Sequence, residues 1–221
     1  MHSYYTIIIP IFNEVQIIPK LLKDLKQLQE EGHEVLIVDD GSTDGSYDIL
    51  SQCTFISLIQ LKNNFGKGVA IKKGIIKSLN EKIVLFDGDR ELKTKEIFNL
   101  MILDKKKKIY FTIGNRKMIS NYDNIIWIIG NKFLTFIFNA FHNSNLKDAL
   151  CCAKAFYKSD INLNKIKAEK FDIDVEIASH LVKQKKTFDT IFLTYQRRNI
   201  YQGKKLRLRD GLRILYRILK S

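Results

Sequence analysis

Residues 35–46 read V-L-I-V-D-D-G-S-T-D-G-S, an apolar run that ends in two acids, Asp39 and Asp40, and then in a polar stretch holding Gly41 and Gly45. A short, continuous apolar run of this kind is expected to be a strand covered on both faces. The glycines permit turn geometry that other residues resist. Three more runs have the same form: Ile7, Ile8 and Ile9 lead into Pro10, residues 56–61 into Lys62, and residues 83–86 into Asp87. Between the first two runs Ile18, Leu21, Leu22, Leu25 and Leu28 recur at helical spacing, which predicts a crossover helix. Capping residue types put the start of a second helix near Thr43 or Asp44, and a third is expected over 67–79. Strands alternating with helices in this way predict an α/β fold with a mostly parallel sheet, in which ligands bind outside the carboxyl ends of the strands.

The second half is less regular. Strands are expected over 109–114, 149–157 and 190–195, a helix over 174–182, and a basic amphipathic helix from about residue 210. An apolar segment spans 125–141 but is interrupted by Asn131, Lys132 and Asn139, and it falls short of the ~20 apolar residues of a membrane span. Two readings stay open for it, an interfacial or ligand-lining helix and an ordinary buried one.

With 221 residues and 45% hydrophobic content, the chain can bury one sizeable core, and no compositional break asks for a second domain. Neither a Gly/Ser-rich nor a Pro-rich linker interrupts it. Cys53, Cys151 and Cys152 give neither metal-ligand spacing nor a disulfide framework, which fits a reducing compartment. Met1 runs directly into a strand-like stretch without signal-peptide features, so a cytoplasmic location is expected. The formal charge of +13 calls for an anionic partner, whether nucleic acid, a membrane surface or a phosphorylated substrate. Much of the excess lies in 105–108, 183–186 and 197–220, runs that also read as solvated faces. No helix-turn-helix, zinc or aromatic-basic signature supports a nucleic-acid module.

Chemistry concentrates after the strands. Asp87-Gly88-Asp89 puts two carboxylates on one side of a tight turn, where they can share a divalent cation with a diphosphate. Hard oxygen ligands suit Mg2+ or Mn2+. Alone such a triplet is also a common surface turn. In the stretch after Val38 one acid can accept hydrogen bonds from a base or ribose while Thr43 or Asp44 caps the following helix.

Taken in order, these segments resemble the second family of nucleotide-sugar glycosyltransferases, and within it the polyprenyl-phosphate (dolichyl-phosphate) mannose and glucose synthases. Ile9-Pro10-Ile11-Phe12-Asn13-Glu14 is similar to an opening P-x-Y-N-E, with Phe12 in place of tyrosine. Residues 38–46 resemble V-D-D-G-S-T-D-G-[ST], residues 64–70 N-x-G-K-G-x-A, Asp87-Gly88-Asp89 D-A-D, and Gly114-Asn115-Arg116 G-S-R. Arg198, Gly203-Lys204-Lys205 and Asp210-Gly211 resemble the tail R-x4-G-K-K-x4-D-G. The resemblance covers roughly the whole chain.

It implies a Rossmann-like GT-A fold in a single domain, with residues 1–116 as the nucleotide-sugar half and 117–221 as the acceptor half with its basic helix. Pro10, Phe12, Glu14, Val38 and Asp40 would surround the nucleoside, with Lys67, Gly88 and Lys205 completing the donor-binding set. Asp87, Asp89 and Glu91 would hold Mg2+ or Mn2+, and Arg116, Arg198 and Lys205 would face phosphates. The implied reaction is inverting transfer of a hexose from a nucleoside-diphosphate sugar to a polyprenyl-phosphate lipid, carried out peripherally on an anionic cytoplasmic membrane face without nucleic acid. Asp89, Arg116 and Arg198 would be catalytic. A hydroxyl acceptor would need a general base, for which Asp148, Asp174 and Glu176 are candidates. An acceptor phosphate needs none, since it is ionised near neutral pH. Residues 148–154 depart from the pattern D-x-x-S-G-[FY]-[RK], because Cys152 replaces the glycine and Ala153 the aromatic residue. The rival readings are the same fold acting on a hydroxyl acceptor, a nucleotidyltransferase, and a nucleic-acid-binding module.

Overall fold

The computed structural model describes residues 4–118, 125–198, 205 and 208–221. In chain order the principal elements are β1 (Tyr5–Ile11), α1 (Ile18–Glu30), β2 (Glu34–Asp39), α2 (Ser46–Ser51), β3 (Ser57–Gln60), α3 (Lys67–Lys77), β4 (Lys82–Leu85) and α4 (Ile97–Leu100). There follow β5 (Phe111–Met118), α5 (Ile125–His142), β6 (Lys154–Tyr157), α6 (Ile173–Lys183), β7 (Phe188–Tyr195) and α7 (Leu208–Lys220). The strands form one seven-stranded sheet in the order β3-β2-β1-β4-β6-β5-β7. All pairings are parallel except those of β6, which runs antiparallel to β4 and to β5. The expected mostly parallel α/β sheet is therefore what the chain forms.

The central strand shows why. Side chains alternate along β1, so Ile7, Ile9 and Ile11 join one core with Leu21, Leu25 and Leu28 of α1, while Ile8 joins another with Ala70, Ile71 and Ile75 of α3. Both faces of β1 are covered, and the fully buried α1 side chains contribute roughly 1.5–3 kcal/mol each. Because the chain passes from β1 to β2 on one side and later to β4 on the other, the strand order reverses at β1. A crevice opens at such a switch point, outside the carboxyl ends of the strands. The turns after β1, β2 and β4 converge there.

Several expectations change in detail. Strand β3 is an edge strand with Ser57 and Gln60 exposed, so it is not covered on both faces. Helix α2 starts at Ser46 behind Gly45, whose φ of +92° only glycine adopts readily. Asp44, one residue before it, accepts the Ser46 amide through Oδ1 at 2.9 Å and the Val15 amide through Oδ2 at 3.0 Å, so it holds the start of α2 and ties two loops together. The strand expected over 149–157 shortens to β6, and residues 149–153 become a buried connection. Helix α5 is not an ordinary buried helix. Ile126, Ile129, Phe133, Phe136 and Phe141 are all exposed, and Thr135 and Phe138 form its buried stripe.

The seam between α3 and the sheet is tight at Gly74, where a Cβ would lie 2.5 Å from Ile8 Cγ2 and 3.4 Å from Val38 Cγ2. Ile8 and Val38 are both fully buried and cannot swing aside. Gly74→Ala should gain up to ~1 kcal/mol in helix propensity and lose ~1–3 kcal/mol by overpacking. The net expectation is destabilisation by about 1 kcal/mol in urea unfolding, and a stabilised variant would mean that the seam is looser than the contact distances imply.

Candidate active site

Two loops brace each other at the crevice. The Ser42 and Ser46 hydroxyls accept from the Asn13 and Glu14 amides at 2.9 Å each, and the Asn13 side chain accepts from the Thr43 amide at 2.8 Å. Asn13 takes a positive φ of 48° to make this turn. Phe12 is half-buried beside it, and Pro10 pairs in register with Val38 across the sheet.

Glu14 sits at the focus of this brace, almost buried. Its carboxylate accepts from Arg198 Nη1 at 2.8 Å and from Nη2 at 3.0 Å, and from Lys205 Nζ as well. The Lys205 ammonium also lies 5.9 Å from the centre of the Phe12 ring. The opening P-x-F-N-E segment and the basic C-terminal segment thus meet across more than 180 residues of chain. Arg198 reaches Asp89 at 3.5 Å as well. Burial opposes its charge, yet hydrogen bonding to Glu14 and the nearby acids leave its pKa raised. Gly203 and Lys204 of the same motif lie outside the described residues.

A second focus is Lys67. Its ammonium lies 2.8 Å from Asp87 Oδ1 and 2.8 Å from Asp174 Oδ2, so it joins the ends of β4, α3 and α6. Burial would lower its pKa, but the charges of Asp174 and Asp87 outweigh that and hold it well above the usual lysine range. Gly66 and Gly68 make the placement possible. The chain at 168–169 crosses so closely that a Cβ at either would meet Glu169 O at 2.5 Å or Ala168 O at 2.7 Å. Gly88 is equally constrained, with Ile11 Cδ1 at 2.2 Å from an added Cβ. It carries Asp87 and Asp89 on the crevice side, where both keep about a quarter of their side-chain surface exposed.

Other expected site residues sit differently. Val38 is fully buried in the core against α3, so its side chain cannot line a nucleoside site. Both Asp40 oxygens accept loop amides, from Phe65 at 2.9 Å and Gly66 at 2.8 Å, so its carboxylate shapes the 64–66 turn. Burial raises the Asp40 pKa in spite of those amides. Glu91 is buried and accepts from Tyr195 Oη at 2.7 Å and the Arg198 amide at 2.8 Å, so it brackets the end of β7. Glu176 accepts from the Lys167 and Ala168 amides at 2.9 and 2.6 Å and pairs with Arg217 at 3.2 Å, so it braces α6. Asp148 is held by Arg116 Nε at 2.7 Å and Nη2 at 2.9 Å, with Asn131 of α5 at 3.0 Å. Burial favours the protonated form of Asp148, but the Arg116 charge and these hydrogen bonds prevail and lower its pKa.

Sequence reasoning missed three residues here. Asn131 interrupts an apolar helix, and a lone polar residue on such a helix is a signal for an inward partner. Tyr195 closes on Glu91 and stacks under the Arg116 guanidinium at 5.2 Å. Asp39 is fully buried with Oδ1 lacking a partner. Among the described residues, Asp174 Oδ1 and Arg198 Nε are likewise buried without one. Unmatched polar atoms are costly inside a protein, and their gathering around one crevice marks a place for a polar ligand. Cys152 lies within electrostatic reach of Lys67 and Asp87, and its hydrogen bond with Cys151 and its burial push its thiol pKa well up.

No three His, Cys, Asp or Glu side chains among the described residues gather as a metal cage. The carboxylate pair Asp87 and Asp89 still fits a hard divalent cation, since Mg2+ is commonly held by one or two carboxylates with substrate phosphates completing its shell.

The fold and this crevice are those of a GT-A glycosyltransferase, and the chain belongs to glycosyl transferase family 2, whose family model matches residues 6–163. Among its relatives is a dolichyl-phosphate beta-glucosyltransferase of Dictyostelium discoideum, 26% identical over 198 residues that cover 79% of this chain and 61% of that one. An undecaprenyl-phosphate 4-deoxy-4-formamido-L-arabinose transferase of Proteus mirabilis is 31% identical over 51% of this chain and 36% of its own. The chain thus spans less than two thirds of the relatives it matches. In structure it resembles glucosyl-3-phosphoglycerate synthase of Mycobacterium tuberculosis solved with Mn2+, uridine diphosphate and phosphoglyceric acid, at TM-score 0.73 and 12% identity, covering 99% of this chain and 78% of that one. Mannosyl-3-phosphoglycerate synthase of Rubrobacter xylanophilus gives TM-score 0.75 at 14% identity, over 99% of this chain and 72% of that one.

Removing the charge of the buried Asp148 leaves the half-buried Arg116 guanidinium without its counter-ion. Asp148→Asn should therefore cost roughly 3 kcal/mol in urea unfolding at neutral pH. The native pKa of Asp148 lies below its unfolded value, so its contribution is complete above about pH 4 and is lost as pH falls through the native pKa. The gap between wild type and variant should accordingly narrow on acidification below that value. A gap that stays constant with pH would assign the loss to packing instead.

Proposed function

We propose that the chain transfers a hexose, with inversion and with the help of a divalent metal, from a nucleoside-diphosphate sugar to a polyprenyl phosphate at a membrane surface. In this reading residues 1–116 hold the donor and 117–221 the acceptor. The observation that carries the acceptor half of the proposal is the engagement of two of the three candidate general bases and of one oxygen of the third. Asp148 is held by Arg116, Glu176 by two amides and Arg217, and Asp174 by Lys67. A hydroxyl acceptor would have to turn to Asp174 Oδ1, the oxygen that Lys67 leaves unpartnered. A phosphate monoester is already ionised, with a second pKa of about 6, and attacks unaided.

The charge balance of the crevice supports the metal. Among the described residues Glu14, Asp87, Asp89 and Asp174 face Lys67, Arg198 and Lys205, four carboxylates to three cations before any donor arrives. A diphosphate would enter a site that already leans negative. A divalent cation between Asp87 and Asp89 would reverse that balance and offset charge on the leaving diphosphate. Arg198 and Lys205 can add to this effect by moving from Glu14 to the phosphates. In the transfer itself an acceptor phosphate oxygen attacks the anomeric carbon, the bond from that carbon to the donor phosphate breaks, and the electron pair leaves with the nucleoside diphosphate. The Phe12 ring, half-buried beside Pro10, offers a face for the base.

Helix α5 supports the lipid. Its 18 residues have a mean hydropathy of 1.3 and 11% of them are buried, so by length and composition it is apolar enough to cross a membrane. At 1.5 Å per residue it is ~27 Å long. Through Asn131 the same helix touches the Arg116–Asp148 pair, so an acyl chain lying on α5 would bring its phosphate toward the crevice. Arg197 stacks on Trp127 of α5 at 3.8 Å. The exposed apolar face of α5, which carries the single charge of Lys132, and the basic outer side of α7 suit peripheral attachment to an anionic leaflet.

Asp89→Asn keeps the Oδ1 acceptor that receives the Glu91 amide at 3.1 Å, so the fold should survive. Transfer should fall by about 100-fold or more, and calorimetry of Mn2+ with the donor should show weakened joint binding. Undiminished binding and turnover would remove Asp89 from the site. The acceptor is tested by incubating radiolabelled nucleotide-sugars with polyprenyl phosphate in vesicles and extracting the lipid. An organic-soluble product is expected, with Asp174→Asn retaining transfer to phosphate once its fold is verified. Transfer to free glycans alone, abolished by Asp174→Asn, would favour the hydroxyl-acceptor reading.

A further inference from the structure

Away from the crevice, α6 and α7 enclose a groove of about 870 Å³. Its basic lining comes from three segments: Lys165 and Lys167 from the loop before α6, Lys183 from α6 beside His180, whose burial lowers its pKa, and Arg217 and Lys220 from α7. Arg217 forms a fixed floor, because Asp172 holds it at 2.9 Å and Glu176 at 3.2 Å, and both acids are buried. Those contacts satisfy Arg217 and Glu176 mutually. The positive charge the groove offers to a ligand is therefore that of its lysines.

The neighbourhood of the groove points to its occupant. Helix α7 buries Ile214 and Ile218 against Phe138 of α5 and Val175 and Ala178 of α6. By helical periodicity Leu212, Leu215 and Leu219 fall on the flank roughly opposite Arg217. Leu212 and Leu219 are exposed, and so is Tyr216, which lines the groove. Across α7 the surface thus passes from an apolar flank, over Tyr216, to a lysine-rich groove. A lipid presents the complementary order, acyl chain and then phosphate.

Resting on the membrane-surface reading above, we infer that the groove between α6 and α7 is a headgroup site for an anionic phospholipid, favouring one with two phosphates. It is distinct from the acceptor position at Arg116. The groove has the size of a small-molecule site, and basic pockets between helices at a membrane bind headgroups of this class. A lipid held there would fix α7, and through Arg217 the start of α6, in one orientation on the leaflet.

Binding is measured by co-sedimentation with phosphatidylcholine vesicles carrying equal negative charge as phosphatidylglycerol or as cardiolipin. Lys165 and Lys183 are exposed, so Lys165→Gln/Lys183→Gln spares the fold. Lys106→Gln/Lys107→Gln removes the same charge from an exposed turn that is remote in sequence. Wild type and the 106/107 variant should prefer cardiolipin, and the 165/183 variant should lose about tenfold in affinity for it while retaining part of its binding to phosphatidylglycerol. Equal losses in both variants, or no preference in the wild type, would overturn the groove and leave the membrane reading standing. Calorimetry with glycerol 1,3-bisphosphate separates the sources: binding of the soluble compound by a wild type that ignores all vesicles would overturn the lipid occupant and the membrane reading together. Saturable RNA binding lost in the 165/183 variant, without lipid preference, would also overturn it.

Discussion

The buried ammonium of Lys67 between Asp87 and Asp174 is the contact on which the crevice depends. It joins the turn after β4, the start of α3 and the start of α6, three segments that no sheet pairing connects. A lysine at this depth is tolerable because carboxylates flank it, since an unpaired charge there would be neutralised or would unfold the site. The geometry is exacting: Gly66 and Gly68 must both lack a Cβ for residues 168–169 to cross close enough to bring Asp174 within reach. One ion pair therefore explains why a glycine-flanked lysine stands where the first half of the chain meets the second.

A second such join lies at Glu14. Arg198 and Lys205 come from the C-terminal segment, yet both end on a carboxylate that follows β1. Glu91 and Glu96 hold the same end of β7, through the Arg198 and Thr194 amides at 2.8 and 3.0 Å. The acids beyond β4 are thus divided by burial. Glu91 and Glu96 are interior brackets, and Asp87 and Asp89 remain at the crevice surface.

That division was not legible in the sequence, which shows four acids within ten residues and no depth. What was legible followed from periodicity. The alternation of Ile7, Ile8 and Ile9 between two cores, the spacing along α1, and the glycine-marked ends of strands gave the sheet and the side on which ligands would bind. The same reasoning misjudged Val38, because a residue at a strand end can still belong wholly to the core. The internal bonds of Asp40 and Glu176 were not legible, because a carboxylate reads alike whether it awaits a ligand or accepts its own loop's amides. Residue type reports the capacity to bond, and only the fold says which bonds are already made.

The same distinction applies to charge. A formal charge of +13 suggests a strongly positive site, yet among the described residues the cations at the crevice are matched: Lys67 by two acids, Arg116 by Asp148, Arg198 and Lys205 by Glu14. The uncompensated charge lies elsewhere, on the 105–108 turn, the lysines around α6 and the outer side of α7. Exposed charges act over about a Debye length, ~8 Å at physiological ionic strength, so they attract a surface rather than grip one phosphate. Paired cations in a low-dielectric crevice do the reverse, acting strongly and only at contact. A protein whose excess charge is outside and whose site is internally matched draws its anionic surface by the first set and recognises its anionic ligand by exchanging partners within the second.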